Sequence, residues 1–193
     1  MTDGDWATLA SGVLAASVTA GSVFYAAKQI RSAADDQRLN EEWRRADVAR
    51  TLMLRLGSDD ELAFCARALD WGVGPLLIPA KYLPLFPIDQ RIMEHQPGLM
   101  AKALTVNLPD GWRLPEALTY RYSFESFFSF LDELRSYSTG GLIPREQFMG
   151  IDYYLELLRD PPYVPTDADK LVFLKFIARF CSELLPFVGQ RKA

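Results

Sequence analysis

The sequence predicts an all-α chain: an N-terminal transmembrane helix continuing into a long stalk helix, then a small cytoplasmic helical domain. Three observations carry this. Residues 6–27, WATLASGVLAASVTAGSVFYAA, contain no Asp, Glu, Lys, Arg, His or Pro. From Lys28 onward no Gly or Pro occurs until Gly57, so one helix can run on. Further along, apolar residues recur at helical spacing, and no stretch alternates as a dependable strand would.

The uncharged stretch comes first. At about 1.5 Å per residue it reaches about 33 Å, against a hydrocarbon core of about 30 Å. Its large apolar residues are few, so insertion has little surplus. Small residues recur instead, with Gly12, Ala16 and Ala20 on one line and Ser17 and Gly21 on another. Such lines let helix backbones approach closely in lipid, which points to a homo-oligomer or a partner membrane protein. Chance spacing in an Ala-rich helix is the plainer alternative. A buried core helix would usually be shorter, and a signal peptide would want a basic start, where this chain has Asp3 and Asp5. Lys28 and Arg31 follow the span, one helical turn apart, and are expected to meet lipid headgroups. The same asymmetry places the N-terminus outside and the domain in the cytoplasm, at the inner membrane. The expected divisions are 1–27 for tail and span, 28–57 for the stalk helix and 58–193 for the domain.

Residues 28–42 are polar nearly all round, the pattern of a solvent-bridging helix or one coiled with copies of itself. Trp43, Val48, Leu52, Met53 and Leu56 then supply an apolar side, with Trp43 expected to pack. Ser58-Asp59-Asp60-Glu61 reads as a capping box opening a helix through Leu62, Cys65, Ala66 and Leu69. Gly72, Gly74 and Pro75 end it. Residues 76–87 (LLIPAKYLPLFP) hold too many prolines for regular structure and read as an apolar strap, either over a core or exposed to a partner. Residues 88–95 and 98–106 read as two short helices, and 108–114 as a turn.

Pro115 suits the first position of the strongest soluble helix. Tyr120, Phe124, Phe127, Phe128, Leu131 and Leu134 form one apolar stripe on it, and Gly140 and Gly141 are candidates to close it. Pro144 begins another helix with Phe148, Ile151, Tyr154, Leu155 and Leu158 inward, stopped by Pro161-Pro162. Thr166 or Asp167 caps the last, with Leu171, Leu174, Ile177, Ala178, Cys181 and Leu185 on one side and Pro186 at its end.

Composition narrows the function. The 193 residues carry a formal net charge of -4, which argues against general nucleic-acid affinity. Only residues 28–55 lean basic. Cys65 and Cys181 lie far apart in apolar patterns and read as reduced, buried thiols. His95 is the only histidine, so a His-based metal cluster is ruled out, and it reads as solvated or capping. No cofactor motif is present. Arg121 and Glu125, at i and i+4, read as a pair on the exposed side of the aromatic helix, beside Asp132, Glu133 and Arg135. Tyr122 and Phe130 lie off the apolar stripe and are candidate contact residues if exposed.

A weakly apolar span, a charged helix with Trp43-Arg44, the aromatic helix RYSFESFFSFLDEL and then Gly-Leu-Ile-Pro follow one another. This layout resembles a family of uncharacterised single-span bacterial membrane proteins, some found beside phage-defence genes. The resemblance implies no catalytic residues. Arg121 and Glu125 are the matching polar positions, and the 76–87 strap is not part of the layout. The first functional expectation is a membrane-anchored, non-enzymatic interaction module acting by assembly or partner binding. The rivals are a small accessory subunit of a larger membrane complex, and an enzyme with a pocket lined by Arg121, Glu125 or His95.

Overall fold

The computed structural model describes residues 3–106 and 113–189, with side chains from Phe24 onward except Met149. Its described residues are all-α but for one two-stranded ribbon. The chain divides into two units, Met1–Arg45 and Ala46–Ala193.

The first unit is carried by α1 (Asp3–Ser58). The helix is unbroken through 6–27, and every described side chain from 24 to 45 is exposed, including Ile30 and Leu39. Trp43, expected to pack, is 75% exposed. It stands off the apolar line that α1 buries further on. Among the described residues an ion pair on this surface joins Arg38 and Glu42, 3.3 Å apart. Among the described residues no helix is long and apolar enough to cross a membrane. Most of the expected span, with Gly12, Ala16, Ser17, Ala20 and Gly21, lies outside the residues whose side chains are described.

The second unit has a single core. Residues 46–58 of α1 join it through Ala49, Leu52 and Leu56, whose i, i+3, i+7 spacing puts them on one face. α1 runs through Gly57 to Ser58, so the next helix is capped one residue later than expected. Asp59 is the N-cap of α2 (Asp60–Asp70), accepting hydrogen bonds from the amides of Glu61 and Leu62 at 3.0 and 3.1 Å. This leaves the Glu61 carboxylate free for another use.

After α2 the chain forms β1 (Pro75–Leu77), antiparallel to β2 (Ile92–Glu94), with Leu76 opposite Met93. The short helix expected over 88–95 is therefore a turn and a strand. Between the strands, a 3-10 turn (Ala80–Leu85) lies over the core with Ile78, Tyr82 and Phe86 buried, so the strap is a cover. α3 (Pro97–Ala103) follows. The turn expected at 108–114 falls mostly outside the described residues.

α4 (Pro115–Thr139) is the axis of this unit. All six stripe residues are fully buried. α2 makes its broadest contact with α4, Phe64 meeting Tyr120 at 5.4 Å between ring centroids. On another side Phe124 and Phe128 meet Phe173 and Phe176 of α7 (Val172–Phe180) at 5.3 and 5.6 Å. α4 closes in a Schellman motif. Gly141 takes φ 66°, the Leu142 amide donates to the Tyr137 carbonyl and the Gly141 amide to that of Ser138.

α5 (Met149–Arg159) buries Ile151, Leu155 and Leu158 as expected and stops before Pro161. Thr166 caps α6 (Asp167–Lys170). The expected long last helix is broken at Leu171, which rotates the inward face. α7 buries Val172, Phe173, Phe176 and Ile177, while Leu171 and Ala178 are exposed. Pro186 does not end a helix; it sits in the first turn of α8 (Leu185–Gly189). Cys65 and Cys181 are free thiols, Cys65 fully buried and Cys181 only partly so.

Candidate functional site

The site is built where α2, the strap and α4 meet. Glu61 lies in the first turn of α2, Lys81 and Tyr82 on the 3-10 turn, and Ser126 on the face of α4 between the two. Each is brought there by a local requirement: the Asp59 cap sets the start of α2, and the Ala80 amide donates to Asp60 at 2.7 Å, pinning the strap. The result is an open groove of about 740 Å³ bounded also by Arg55, Tyr122 and Glu125.

Glu61 is its centre. One carboxylate oxygen, Oε1, accepts the Tyr82 hydroxyl at 2.5 Å and faces the Lys81 ammonium at 3.1 Å. Oε2 accepts the Ser126 hydroxyl at 2.6 Å. Burial pushes the Glu61 carboxyl up, but the hydrogen bonds from Ser126, Tyr82 and Lys81, with the lysine's charge, outweigh it and hold the group below the usual carboxylate value. Burial, and then the adjoining Glu61 carboxylate, push the Tyr82 phenol well above its ordinary range. Tyr122 stacks on Tyr82, ring centroids 6.2 Å apart with planes within 22°. Lys81 lies 5.4 Å from the Tyr82 ring centroid. Arg55 pairs with Glu133 at 2.7 Å and covers the Phe130 ring.

The expected site residues are redistributed. Tyr122 and Glu125 line the groove. Arg121 does not, and it is not on an exposed side. Its side chain is only 13% exposed and donates to the carbonyls of Ala103 and Thr105 at 3.1 and 3.3 Å. It lies over the rings of Phe176 and Phe180 and pairs with Glu125 at 3.4 Å. It is thus a structural clamp joining α3, α4 and α7. Phe130 is 1% exposed, because α4 is enclosed on more sides than its stripe. Lys28 and Arg31 are exposed on α1.

His95 is neither solvated nor capping. It is 4% exposed, just past β2, with Nδ1 2.8 Å from the Tyr120 hydroxyl. That hydroxyl also accepts the Gln96 amide at 3.1 Å. Nε2 has no hydrogen-bond partner, although the Trp71 and Ala68 carbonyls lie near. Burial lowers the His95 pKa against the pull of those carbonyls.

Sequence reasoning missed Glu61, Lys81, Tyr82 and Ser126. Glu61 was accounted for by the capping box. Lys81, the one charged residue between Asp70 and Asp89, was the available signal: a lone cation in an apolar strap needs a counterion. Among the described residues no group of His, Cys, Asp and Glu could hold a metal ion. Comparison with protein-family models, with curated proteins and with solved structures finds no match.

Proposed function

We propose that the protein is a membrane-anchored interaction module, tethered at the inner membrane by the start of α1, with its helical domain in the cytoplasm, and acting by assembly rather than by catalysis. The observation that carries this reading is α1 itself. One unbroken helix contains the uncharged 6–27 stretch and then exposes every described side chain up to Val48, Trp43, Ile30 and Leu39 among them. Among the described residues this length of helix buries no side chain, and isolated helices in water are marginal. Copies of the chain, or a partner helix, along the same length supply what is missing. Lys28 and Arg31 fall where headgroups would lie. The resemblance to single-span proteins found beside phage-defence genes makes defence the cellular setting we favour.

The groove supports binding over chemistry. A general base works best with a pKa near the operating pH. Here the carboxyl is held low and the phenol high, so neither exchanges a proton readily near neutrality. The reading is tested by extracting membranes with alkaline carbonate and by reporter fusions after Ala193. Retention in the pellet with cytoplasmic fluorescence supports it. Release into the supernatant, or phosphatase activity of a periplasmic reporter at that end, refutes it.

A further inference from the structure

The groove holds one more clue than the proposed function uses, and it is the position of Lys81. The Glu61 carboxylate needs no lysine to stay in place, because Tyr82 and Ser126 already hold both its oxygens. Lys81 comes from the rim, with its side chain 67% exposed, and such exposed pairs are weak. The space of about 740 Å³ is far more than one lysine head requires, and lies in the range of small-ligand sites. Lys81 therefore shows what the groove accepts: a compact cation, set against a fixed carboxylate and an aromatic face.

We infer that the groove binds a primary alkylammonium group, which displaces Lys81 from Glu61 and takes its place against the carboxylate and the Tyr82 ring. The geometry favours an ammonium over a guanidinium. Each Glu61 oxygen already accepts a hydroxyl, so the one acceptor position left on each suits the single-point contact of an ammonium, whereas a guanidinium fork needs both remaining positions to face the groove in one plane. The stacked Tyr82 and Tyr122 rings offer the cation a π face. Glu125, 45% exposed on the rim and paired with Arg121 at 3.4 Å, leaves acceptor positions for the rest of a ligand. The ε-ammonium of a partner protein's lysine and the terminal ammonium of a free polyamine share this chemistry. Lys81 acts as a tethered competitor, present at a high effective concentration beside Glu61.

That last point makes the inference testable with the full chain in detergent. Binding of an acetylated Gly-Lys-Gly amide and of spermidine is measured by calorimetry for wild type, Lys81→Ala and Lys81→Ala/Glu61→Gln. Removing the competitor should tighten binding about fivefold or more. Adding Glu61→Gln should then weaken it about tenfold, since the glutamine loses the charge; its carbonyl oxygen still accepts one of the two hydroxyls, and its amide donates to the other once that hydroxyl turns. The arginine version of the peptide should bind several-fold more weakly than the lysine version. Preference for the peptide assigns a partner's lysine; preference for spermidine assigns a free polyamine. Binding no tighter in Lys81→Ala, or unchanged by Glu61→Gln, overturns the inference, as does failure of both probes to bind. If Glu61→Gln does not fold, Tyr122→Ala decides: the residue is half-exposed, and binding that survives its loss undiminished overturns the site. The inference does not depend on the membrane anchor, so its failure leaves the reading of α1 standing.

Discussion

Residues 24–45 and the Ala46–Ala193 unit are made of similar material held in opposite ways. In the first, Ile30, Leu39 and Trp43 are exposed, and an ion pair, Arg38–Glu42, lies on a solvated surface. In the second, six aromatic and leucine positions of one helix are wholly buried, and even an arginine is clamped over two phenylalanine rings. The difference lies less in propensity than in periodicity. Ala49, Leu52 and Leu56 fall on one face, so the end of α1 can dock, whereas Ile30, Leu39 and Trp43 do not share a narrow face. The domain is stabilised by its own core; the exposed part of α1 buries no described side chain.

The largest effect that would sharpen this contrast is in the core. Phe124→Ala removes a ring packed against Phe127, Phe128 and Phe173 and should cost about 3–5 kcal/mol. Leu52→Ala, at the docked end of α1, should cost about 2–4 kcal/mol, near the lower half of the range for core leucines because the residue lies at the core's edge. Denaturant midpoints at constant slope measure both. An effect of Leu52→Ala below about 0.5 kcal/mol, the size of a surface substitution, would mean that the end of α1 is not part of the core.

The next effect is a dependence on pH confined to the domain. His95 is held neutral, with its folded pKa below the unfolded value of about 6.5. Between those values the unfolded chain takes up a proton that the folded chain refuses. Stability should therefore fall as pH drops below about 6.5, by at most about 1.4 kcal/mol per pH unit. His95→Gln should flatten the curve in that window. The Glu61 carboxyl is also lowered, so its contribution is lost at more acid pH, below about 4.5. A wild-type curve that is flat from pH 7.5 to 5.5 would contradict the buried His95–Tyr120 arrangement.

The smallest effect belongs to the exposed helix. Trp43→Ala should change the domain's stability by less than about 0.5 kcal/mol, although tryptophan is the largest side chain. If assembly covers Trp43, crosslinking between copies should fall while the unfolding midpoint stays. A loss of more than about 2 kcal/mol, the size of a core truncation, would place Trp43 in a core.

The legible parts of the fold were those where one helix buries one stripe. The Tyr120-to-Leu134 stripe, the Pro115 start and the Gly141 close on α4 needed only spacing and turn chemistry. What stayed hidden depended on neighbours distant in sequence. Phe130 is off the stripe, yet Arg55 covers it, a contact between residues seventy-five positions apart. The ribbon of β1 and β2 is three residues on each side, too short for alternation to register among prolines. His95 sits between Glu94 and Gln96, a polar setting in sequence, but Tyr120 draws it inward. The break at Leu171 turned the face of the last helices, since a small rotation reassigns every side chain beyond it. At the groove, Glu61 satisfied one local rule so well that its second partner set went unsought.

Coverage of the exposed part of α1 by other copies of the chain is the assembly we propose. Its most direct test is the mass of the full-length protein in a mild detergent by light scattering, for wild type and for Gly12→Leu. A wild-type complex of more than one chain is expected, with dissociation in Gly12→Leu and the domain's unfolding midpoint unchanged. A wild-type protein that is a single chain at concentrations matching those in the membrane would contradict it.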